Sequence, residues 1–406
     1  MQPTIARVLR RGMLSVFLRR YWTVGTEKGD RFVVLTENND NENRLLFPSI
    51  WLRDNCQCSQ CFDAQSNSRI INLQLFNYKV RPTQTKITNN LKLQVDWSDD
   101  HKSEFPMEWL RERNFSSAAQ KSYLERFCNF ERKSWAKKNF FSILRKYEYR
   151  SILDNDNVLL DFLTSLTTFG VAIIENAGVQ LGTLEIFAKR IAFLRRTQYG
   201  ETFRVEAKAD ATNAAYKAST LQLHVDLPYN RYMPDLLFLH CIQQSKDKVG
   251  GESELTDCLH ICQEIKKNQP VIYDRLKTID VDWSDIGQDD GLHFHTIHRE
   301  PVIRENKNGK IERINFSQPQ RDTHFNVAAE QVDGWYEAWS VFVEEIYDPQ
   351  NKVQFKLNEG DILVIDNSRM VHGRTGFGDS RLLEGGYMDW DLAYSKLRVL
   401  RKQLSP

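Results

Sequence analysis

The sequence predicts a mostly β protein with flanking helices, in which a small β-rich N-terminal domain precedes a larger, mostly β domain. Short runs rich in β-forming residues, separated by Asn, Asp and Ser, recur through residues 30–105 and again after residue 155. Helix-like periodicity is confined to a few segments. The chain of 406 residues is long enough for two or three domains.

The N-terminal part contains three predicted strands, Arg31–Leu35, Ile70–Leu75 and Leu91–Val95. Residues 116–150 are polar and charged with scattered aromatic residues, which predicts a helical connector that begins with Ser117 as N-cap. The larger domain follows this connector.

The larger domain is predicted from alternating strand and helix signals. The predicted strands are Gly170–Ile174, Leu236–Ile242, Lys352–Leu357, Asp361–Ile365 and Leu383–Met388. The predicted helices are Val158–Leu166, Leu184–Leu194 and Asp391–Lys402.

Composition narrows the function classes. Lys and Arg total 55 against 54 Asp and Glu, a net charge of +1, which argues against a nucleic-acid partner. The chain contains no run of 18 apolar residues, so the sequence predicts no membrane span. Seven cysteines are too few for a disulfide scaffold in a chain of this length, and their odd number leaves at least one unpaired. We therefore expect a soluble protein inside the cell.

The first 26 residues have a composition of their own. They contain no acidic residue and five arginines, of which Arg7, Arg10 and Arg11 would share one face of a helix. An amphipathic, Arg-rich, acid-poor start is typical of a mitochondrial transit peptide. The segment 1–26 therefore predicts import into the mitochondrial matrix, and the alternative is a disordered basic tail on a cytoplasmic protein.

A cluster of thiols predicts a metal site in the N-terminal domain. Cys56, Cys58 and Cys61 form a C-x-C-x2-C pattern, and crowded thiolates in a reducing compartment favour zinc over disulfides. His101 is the best-placed fourth ligand and Cys128 the second choice. A closed site of three cysteines and a histidine would be structural; the alternative is three unrelated thiols.

A second pattern predicts a metal site of a different kind. His224 and Asp226, two residues apart, could chelate one metal from one face of a strand, and His372 could complete the set. Two histidines and a carboxylate on one face are the ligands of non-heme Fe(II) oxygenases. Arg381 lies where a guanidinium could hold the distal carboxylate of 2-oxoglutarate, and Arg374 competes for that role.

A third group of candidate ligands is His293, His295 and His298. The first two could share a strand face, but no carboxylate or thiolate partner stands out and the flanking sequence resembles a loop. Surface histidines are the main interpretation of this group, and a metal or substrate role is the alternative.

From about residue 45 to the C-terminus, the chain resembles the γ-butyrobetaine/trimethyllysine dioxygenase family. The matching segments are Trp51–Cys58 with Cys61, His101, His224–Asp226, Leu239–Cys241, Gly250–Gly251, Asp282–Gly287, Arg313–Phe316, His372–Arg374, Glu384–Trp390 and Ser395–Arg401. The last two segments look more like the γ-butyrobetaine branch.

The resemblance implies a zinc-bearing N-terminal domain (27–115), the connector (116–150) and a double-stranded β-helix, or jelly-roll, oxygenase domain (151–406). It also implies a homodimer that depends on Fe(II), 2-oxoglutarate and ascorbate. The reaction it implies consumes O2 and converts γ-butyrobetaine to L-carnitine, in carnitine biosynthesis, with release of succinate and CO2.

Site roles follow from the same resemblance. The implied iron ligands are His224, Asp226 and His372, and the implied zinc ligands are Cys56, Cys58, Cys61 and His101. Arg381 and Leu239 match positions that bind 2-oxoglutarate. An aromatic cage for the trimethylammonium group is implied at Tyr199, Phe203, Tyr216 and Tyr387, with Asn213 near the carboxylate end of the substrate.

The sequence departs from the γ-butyrobetaine branch near the substrate. Phe203 stands where that branch has tryptophan, Leu227 where it has tyrosine and Ser317 where it has asparagine. The loop between His372 and Arg381 is also shorter. A trimethyllysine dioxygenase, or a hydroxylase of another quaternary amine, is therefore the second hypothesis. A metal-binding module without turnover is the third.

Overall fold

The computed structural model describes residues 21–38, 44–206, 218–289, 291–378 and 380–404. The chain divides into two compact units, Met1–Asn129 and Phe130–Pro406. The boundary lies inside the segment 116–150 that the sequence analysis assigns to a connector. Within the described ranges, no helix combines the length and the apolar character needed to cross a membrane.

Unit 1 is built from short antiparallel sheets. Its strands are β1 (Trp22–Glu27), β2 (Phe32–Glu37), β3 (Arg44–Pro48), β4 (Phe62–Asp63), β5 (Ser68–Arg69), β6 (Pro82–Ile87), β7 (Lys92–Trp97) and β8 (Lys102–Pro106). Its helices are α1 (Ser49–Asp54), α2 (Met107–Glu112) and α3 (Ser117–Phe127). The sheets β1-β2-β3 and β6-β7-β8 share one core, in which Val33, Phe47, Val95 and Trp97 are buried.

Two of the three predicted strands of this unit are confirmed, as β2 and β7. The prediction for Ile70–Leu75 is wrong, because this segment is a turn in which Leu75 is 83% exposed. The Asn72 side chain accepts a hydrogen bond from the Gln74 N–H, a local interaction that competes with strand pairing. The N-cap of α3 is Ser116 rather than Ser117.

Unit 2 contains two larger sheets and the helices that cover them. Its strands are β9 (Arg145–Glu148), β10 (Val171–Glu175), β11 (Thr202–Glu206), β12 (Leu221–His224), β13 (Leu236–Gln243), β14 (Ser253–Asp257), β15 (Asp280–Asp289), β16 (Leu292–Pro301), β17 (Ile303–Glu305), β18 (Ile311–Ile314), β19 (Val353–Phe355), β20 (Ile362–Asp366), β21 (Met370–Arg374) and β22 (Leu382–Met388). Its helices are α4 (Lys137–Ile143), α5 (Tyr149–Asp154), α6 (Asp156–Phe169), α7 (Thr183–Ile191), α8 (Cys258–Asn268), α9 (Pro270–Thr278), α10 (Ala329–Tyr347) and α11 (Trp390–Leu404).

The sheets pack as two layers. One has the order β11-β22-β13-β20-β10-β9 and the other β12-β21-β14-β19. Leu237 of the first and Val371 of the second belong to one buried cluster, so the main core lies between the sheets. On the opposite face of the first sheet, Phe238 packs in a second cluster with side chains of α6, α7 and α11. This arrangement confirms the predicted jelly-roll with flanking helices.

The elements predicted for unit 2 are all present, with ends that differ by at most three residues. The sequence analysis did not predict α8, α9, α10 or the long hairpin of β15 and β16. The hairpin carries polar residues on both faces, such as the exposed His295 and the half-buried His298, and so lacks a clear alternation of apolar and polar positions.

Candidate active site and metal clusters

The structure brings His224, Asp226 and His372 together. Their ligand atoms all lie within 4.8 Å of one another. Asp226 Oδ1 is 3.2 Å from His224 Nε2 and 3.6 Å from His372 Nε2. His224 Nδ1 lies 2.8 Å from the Gln222 carbonyl oxygen, so this nitrogen donates and Nε2 keeps its lone pair for a metal.

Strand pairing and a turn produce this geometry. His224, the last residue of β12, is directly opposite His372 of β21. Asp226 lies beyond the end of β12, so its predicted position on the same strand as His224 is wrong. Leu227 has a positive φ of 58° and turns the chain there. The buried Asn367 side chain fixes this turn: its amide accepts from the Asp226 N–H at 2.7 Å and donates to the Asp226 carbonyl at 3.0 Å.

The electrostatics of the cluster suit a divalent cation. Burial raises the pKa of Asp226, but the neighbouring His372 and His224 and a hydrogen bond from Tyr387 outweigh it and lower this pKa to about 2. Burial, together with His224, lowers the pKa of His372 to about 4. The site therefore offers one carboxylate and a neutral imidazole at neutral pH. Tyr387 Oη donates to Asp226 Oδ2 at 2.9 Å, which leaves Oδ1 facing the histidines.

A pocket of about 810 Å³, including its open mouth, adjoins the three ligands. Arg374, Arg381 and Leu239 all line it. Burial lowers the pKa of Arg381 to about 10, so the group stays cationic at neutral pH. Its Nε donates to Gln244 Oε1 at 3.3 Å, and the Arg374 guanidinium donates to the Ser219 carbonyl oxygen.

Three of the predicted cage residues, Tyr199, Phe203 and Tyr387, line the same pocket. The rings of Phe203 and Tyr387 are 5.1 Å apart between centroids, and those of Tyr199 and Phe203 are 6.4 Å apart. Phe203 covers Gly385, where an added Cβ would lie 2.2 Å from the ring, so only glycine allows this approach. The remaining two predicted substrate residues, Asn213 and Tyr216, lie outside the described residues.

The thiol cluster of unit 1 also forms. The Sγ atoms of Cys56, Cys58 and Cys61 lie 3.2, 3.5 and 3.5 Å from His101 Nε2. Four such ligands can hold a tetrahedral metal ion without an open position. Cys128 is exposed at the end of α3 and is not part of this cluster.

The thiols need a cation to ionise together. Burial and the neighbouring Cys56 raise the pKa of Cys61 to about 12, although a hydrogen bond from Arg53 opposes the shift. Burial also raises the pKa of Cys56. A bound metal would supply the missing positive charge. Arg53 pairs with Asp99 at 3.0 Å and places its guanidinium beside Cys61, at 3.5 Å from Sγ.

The third histidine group does not converge. His293 and His295 are exposed, whereas His298 is half-buried, and its Nε2 is 3.5 Å from Glu300 Oε1 and 3.3 Å from the Arg313 guanidinium. Among the described residues, the groups that could hold a metal are the two clusters above. The structure thus favours the interpretation of His293 and His295 as surface residues.

Comparison with known proteins identifies the family. The family "Taurine catabolism dioxygenase TauD, TfdA family" matches residues 143–387, and "Gamma-butyrobetaine hydroxylase-like, N-terminal" matches residues 27–111. The chain is 34% identical to γ-butyrobetaine dioxygenase of Homo sapiens, over 90% of this chain and 93% of that protein. The chain belongs to the γ-butyrobetaine/trimethyllysine dioxygenase family.

More distant relatives carry both names of this family. The γ-butyrobetaine dioxygenase of Pseudomonas sp. (strain AK-1) is 28% identical over 88% of this chain and 91% of that protein. The mitochondrial trimethyllysine dioxygenase of Gallus gallus is 25% identical over 88% of this chain and 84% of that protein. As a member of this family, the chain is a 2-oxoglutarate-dependent dioxygenase.

Sequence reasoning missed several residues of this dioxygenase site. Tyr229 and Gln320 line the pocket, and Asn367 holds Asp226. Tyr229 follows the His224–Asp226 pair by only three residues, and Asn367 lies two residues after the predicted strand Asp361–Ile365. Both positions could have been noticed as polar groups next to candidate ligands. Gln320 comes from a distant loop, and no local pattern points to it.

Proposed function

We propose that this protein hydroxylates γ-butyrobetaine to L-carnitine, with 2-oxoglutarate as cosubstrate. One observation carries the proposal: the His224–Asp226–His372 cluster opens into a pocket that has aromatic rings and buried arginines in its walls. Fe(II) would bind at the cluster, because two imidazoles and a carboxylate leave open positions on one side of the metal. When bound, it supplies the oxygen activation that couples decarboxylation of 2-oxoglutarate to hydroxylation.

The arginines supply the anion site that 2-oxoglutarate requires. Arg381 is 4% exposed and faces the pocket, so its charge is available with little competition from water. Leu239 of β13 contributes an apolar surface in the same pocket. We assign the distal carboxylate of 2-oxoglutarate to Arg381, as the sequence predicts. Arg374 lines the same pocket, two residues from His372 on β21, and is the competing partner.

The aromatic rings supply the site for the substrate cation. A trimethylammonium group cannot accept or donate a conventional hydrogen bond, so aromatic faces are its best partners in a protein. Tyr199, Phe203 and Tyr387 present such faces within one pocket. Because Tyr387 also contacts Asp226, this ring places the cation close to the metal ligands. The position of the cation then determines which C–H bond is nearest to the metal.

Trimethyllysine is the second candidate substrate, favoured by the 25% identity to a trimethyllysine dioxygenase. Both substrates carry the same trimethylammonium group and differ at the other end, where trimethyllysine adds an α-amino group. The higher identity to the human γ-butyrobetaine enzyme supports the first candidate. A metal-binding module without turnover is disfavoured, because ligands, arginines and pocket are all in place.

The rest of the proposal concerns the protein as a whole. The Cys56, Cys58, Cys61 and His101 cluster would hold a structural zinc ion. Ascorbate dependence, a homodimer and a mitochondrial matrix location complete the proposal, with a cytoplasmic location as the alternative. The acid-free, Arg-rich N-terminus supports import. β1 begins at Trp22, so the folded part of unit 1 includes residues of the segment 1–26.

The test is succinate release by purified protein that lacks residues 1–20, so that β1 is kept. Fe(II), 2-oxoglutarate and ascorbate are supplied, with γ-butyrobetaine and trimethyllysine in parallel reactions. We expect succinate and carnitine in equal amounts from γ-butyrobetaine. Release with trimethyllysine alone would transfer the protein to the other branch of the family. Absence of release with both, despite bound iron, would contradict the assignment to a quaternary amine.

A further inference from the structure

Two tyrosines that line the pocket form a hydrogen-bonded group with Asp285, a carboxylate that lies behind them and that the proposed reaction does not use. Tyr199 Oη lies 3.3 Å from Tyr229 Oη and 3.4 Å from Asp285 Oδ2. The Tyr229 hydroxyl also accepts a hydrogen bond from Gln198 Nε2 at 3.1 Å. Both tyrosines line the pocket, whereas Asp285 does not.

The hairpin of β15 and β16 positions Asp285. Side chains alternate along β15, so that Trp283 is fully buried and Ile286 is 71% exposed. Asp285 shares the inward face with Trp283. From β16, Phe294 packs edge-on against Tyr199, with 6.3 Å between ring centroids. The inner face of the hairpin therefore contacts the aromatic wall from behind, through one carboxylate and one ring.

The charge distribution in the pocket indicates a role for the Asp285 carboxylate. Among the described residues that line the pocket, Asp226 is the sole acidic one, and it lies between the two histidines. The two arginines of the pocket suit the anionic groups of the cosubstrate. A cationic substrate group would find its remaining negative counterpart in Asp285, one hydrogen bond behind the rings.

We propose that Asp285 is a specificity-determining residue, which makes the tyrosine end of the pocket prefer a quaternary ammonium cation over a neutral group of the same shape. The inference rests on the proposed function, because it assumes a quaternary amine substrate. A carboxylate that accepts from tyrosine hydroxyls polarises the phenol groups and makes the ring faces more negative. Its own charge acts on the cation in addition. Asp285 is a positioning residue and need not touch the substrate.

The experiment compares two ligands that differ in charge and hardly in shape. γ-Butyrobetaine carries a trimethylammonium group, and 5,5-dimethylhexanoate has a tert-butyl group in its place. Dissociation constants are measured without oxygen, on protein loaded with Fe(II) and 2-oxoglutarate. The variants are Asp285→Asn, which keeps a hydrogen-bond acceptor, and Asp280→Asn as the matched control. Asp280 is also on β15, half-exposed and roughly 17 Å away along the strand.

We expect Asp285→Asn to weaken γ-butyrobetaine binding about tenfold and the binding of the neutral ligand by less than about twofold. Asp280→Asn should change neither. Equal weakening of both ligands would mean that Asp285 only supports the hairpin, and unchanged binding of both would also overturn the inference. A wild-type protein that does not prefer the cation would overturn it as well.

A second variant tests the same inference without changing a residue of the hairpin. Tyr229→Phe retains the ring and removes the hydroxyl that contacts Tyr199 Oη, the partner of Asp285, so part of the preference for the cation should be lost. An unchanged preference in this variant would contradict the proposed link through the hydroxyl group. Failure of the proposed function looks different: the wild-type protein would bind the cation in preference to the neutral ligand and form no carnitine.

Discussion

The two metal-ligand clusters of this protein differ in the number of their ligands and in what surrounds them. In unit 1, three thiols and an imidazole make a set of four that is complete for a tetrahedral ion. In unit 2, two imidazoles and a carboxylate make a set of three beside a pocket. A complete set can only hold the chain together, whereas an incomplete set leaves positions for reactants. The difference separates a structural site from a catalytic one before any ligand is known.

The clusters also differ in how the chain supplies them. Cys56, Cys58 and Cys61 lie within six residues, directly after α1, and His101 precedes β8. In the cluster of unit 2, His224 and His372 are 148 positions apart, and the pairing of β12 with β21 brings them together. Loss of a metal from the cluster of unit 1 should therefore lower stability, and loss of a metal from the cluster of unit 2 should lower the rate of turnover. The following predictions test this division.

The largest effect is expected from the incomplete cluster. Asp226→Ala and His372→Ala should each reduce succinate production by about a thousandfold or more, because the reacting metal is lost. The midpoint of thermal unfolding should change little, since the cluster lies beside a pocket. His293→Ala and His295→Ala are controls on the exposed face of β16 and should retain full activity. A ligand variant with normal succinate output would remove the assignment.

Loss of a ligand from the complete cluster should affect stability instead. Cys61→Ser is expected to reduce the bound zinc, measured by metal analysis, and to lower the unfolding temperature of unit 1. The exposed Cys128 provides the matched control, since Cys128→Ser should leave zinc content and stability unchanged. Full zinc occupancy in the Cys61 variant would contradict a four-ligand site.

A finer test separates the ring of Tyr387 from its hydroxyl. Tyr387→Phe keeps the aromatic face but loses the hydrogen bond to Asp226 Oδ2. Variants of this kind weaken metal binding about 10- to 100-fold, so Fe(II) affinity should fall while KM for γ-butyrobetaine stays nearly constant. Phe203→Leu should do the opposite and raise KM without changing Fe(II) affinity. If Tyr387→Phe changed KM alone, the hydroxyl would have no role in holding the metal ligand.

The smallest effect concerns Asp235, a half-buried carboxylate outside both clusters. Burial, helped by Asp366 and Asp389 and opposed by a hydrogen bond from the Trp390 N–H, raises the pKa of Asp235 to about 6, whereas that of Asp226 is about 2. Folding therefore disfavours ionised Asp235, and its contribution to stability is lost as the pH rises from about 4 through about 6.

Asp235→Asn should remove this penalty, because the amide oxygen can still accept from the Trp390 N–H. We expect the free energy of unfolding to rise by about 1–3 kcal/mol near pH 7.5 and to stay unchanged near pH 3.5. Denaturant unfolding at the two pH values measures the difference. Equal stabilisation at both would point to packing rather than charge.

Most residues of the two candidate metal clusters were predictable from the sequence, because their chemistry is recorded in residue type and short spacing. The C-x-C-x2-C pattern needs no knowledge of the fold, and neither does the pair His224 and Asp226. The strand β20 was predictable for a similar reason, since its first four residues are a continuous apolar run, Ile362–Ile365.

What could not be predicted depends on contacts between distant parts of the chain. Asn367 holds Asp226 across 141 residues, and Asp285 reaches Tyr199 across 86. No local pattern encodes such pairs. The turn at Asp226 was missed because Leu227 adopts a positive φ, which is rare for leucine, and the surrounding structure imposes it.

The direct pairing of His224 with His372 has a consequence for assembly of the jelly-roll. Neighbouring residues of a strand point to opposite faces, so a slip of β21 by one position would bring Gly373 or Val371 opposite His224. The three ligands converge in a single alignment of the two strands. A metal ion would therefore find all three ligands together only where β12 and β21 are correctly aligned. Iron content would then report how faithfully the sheet was assembled.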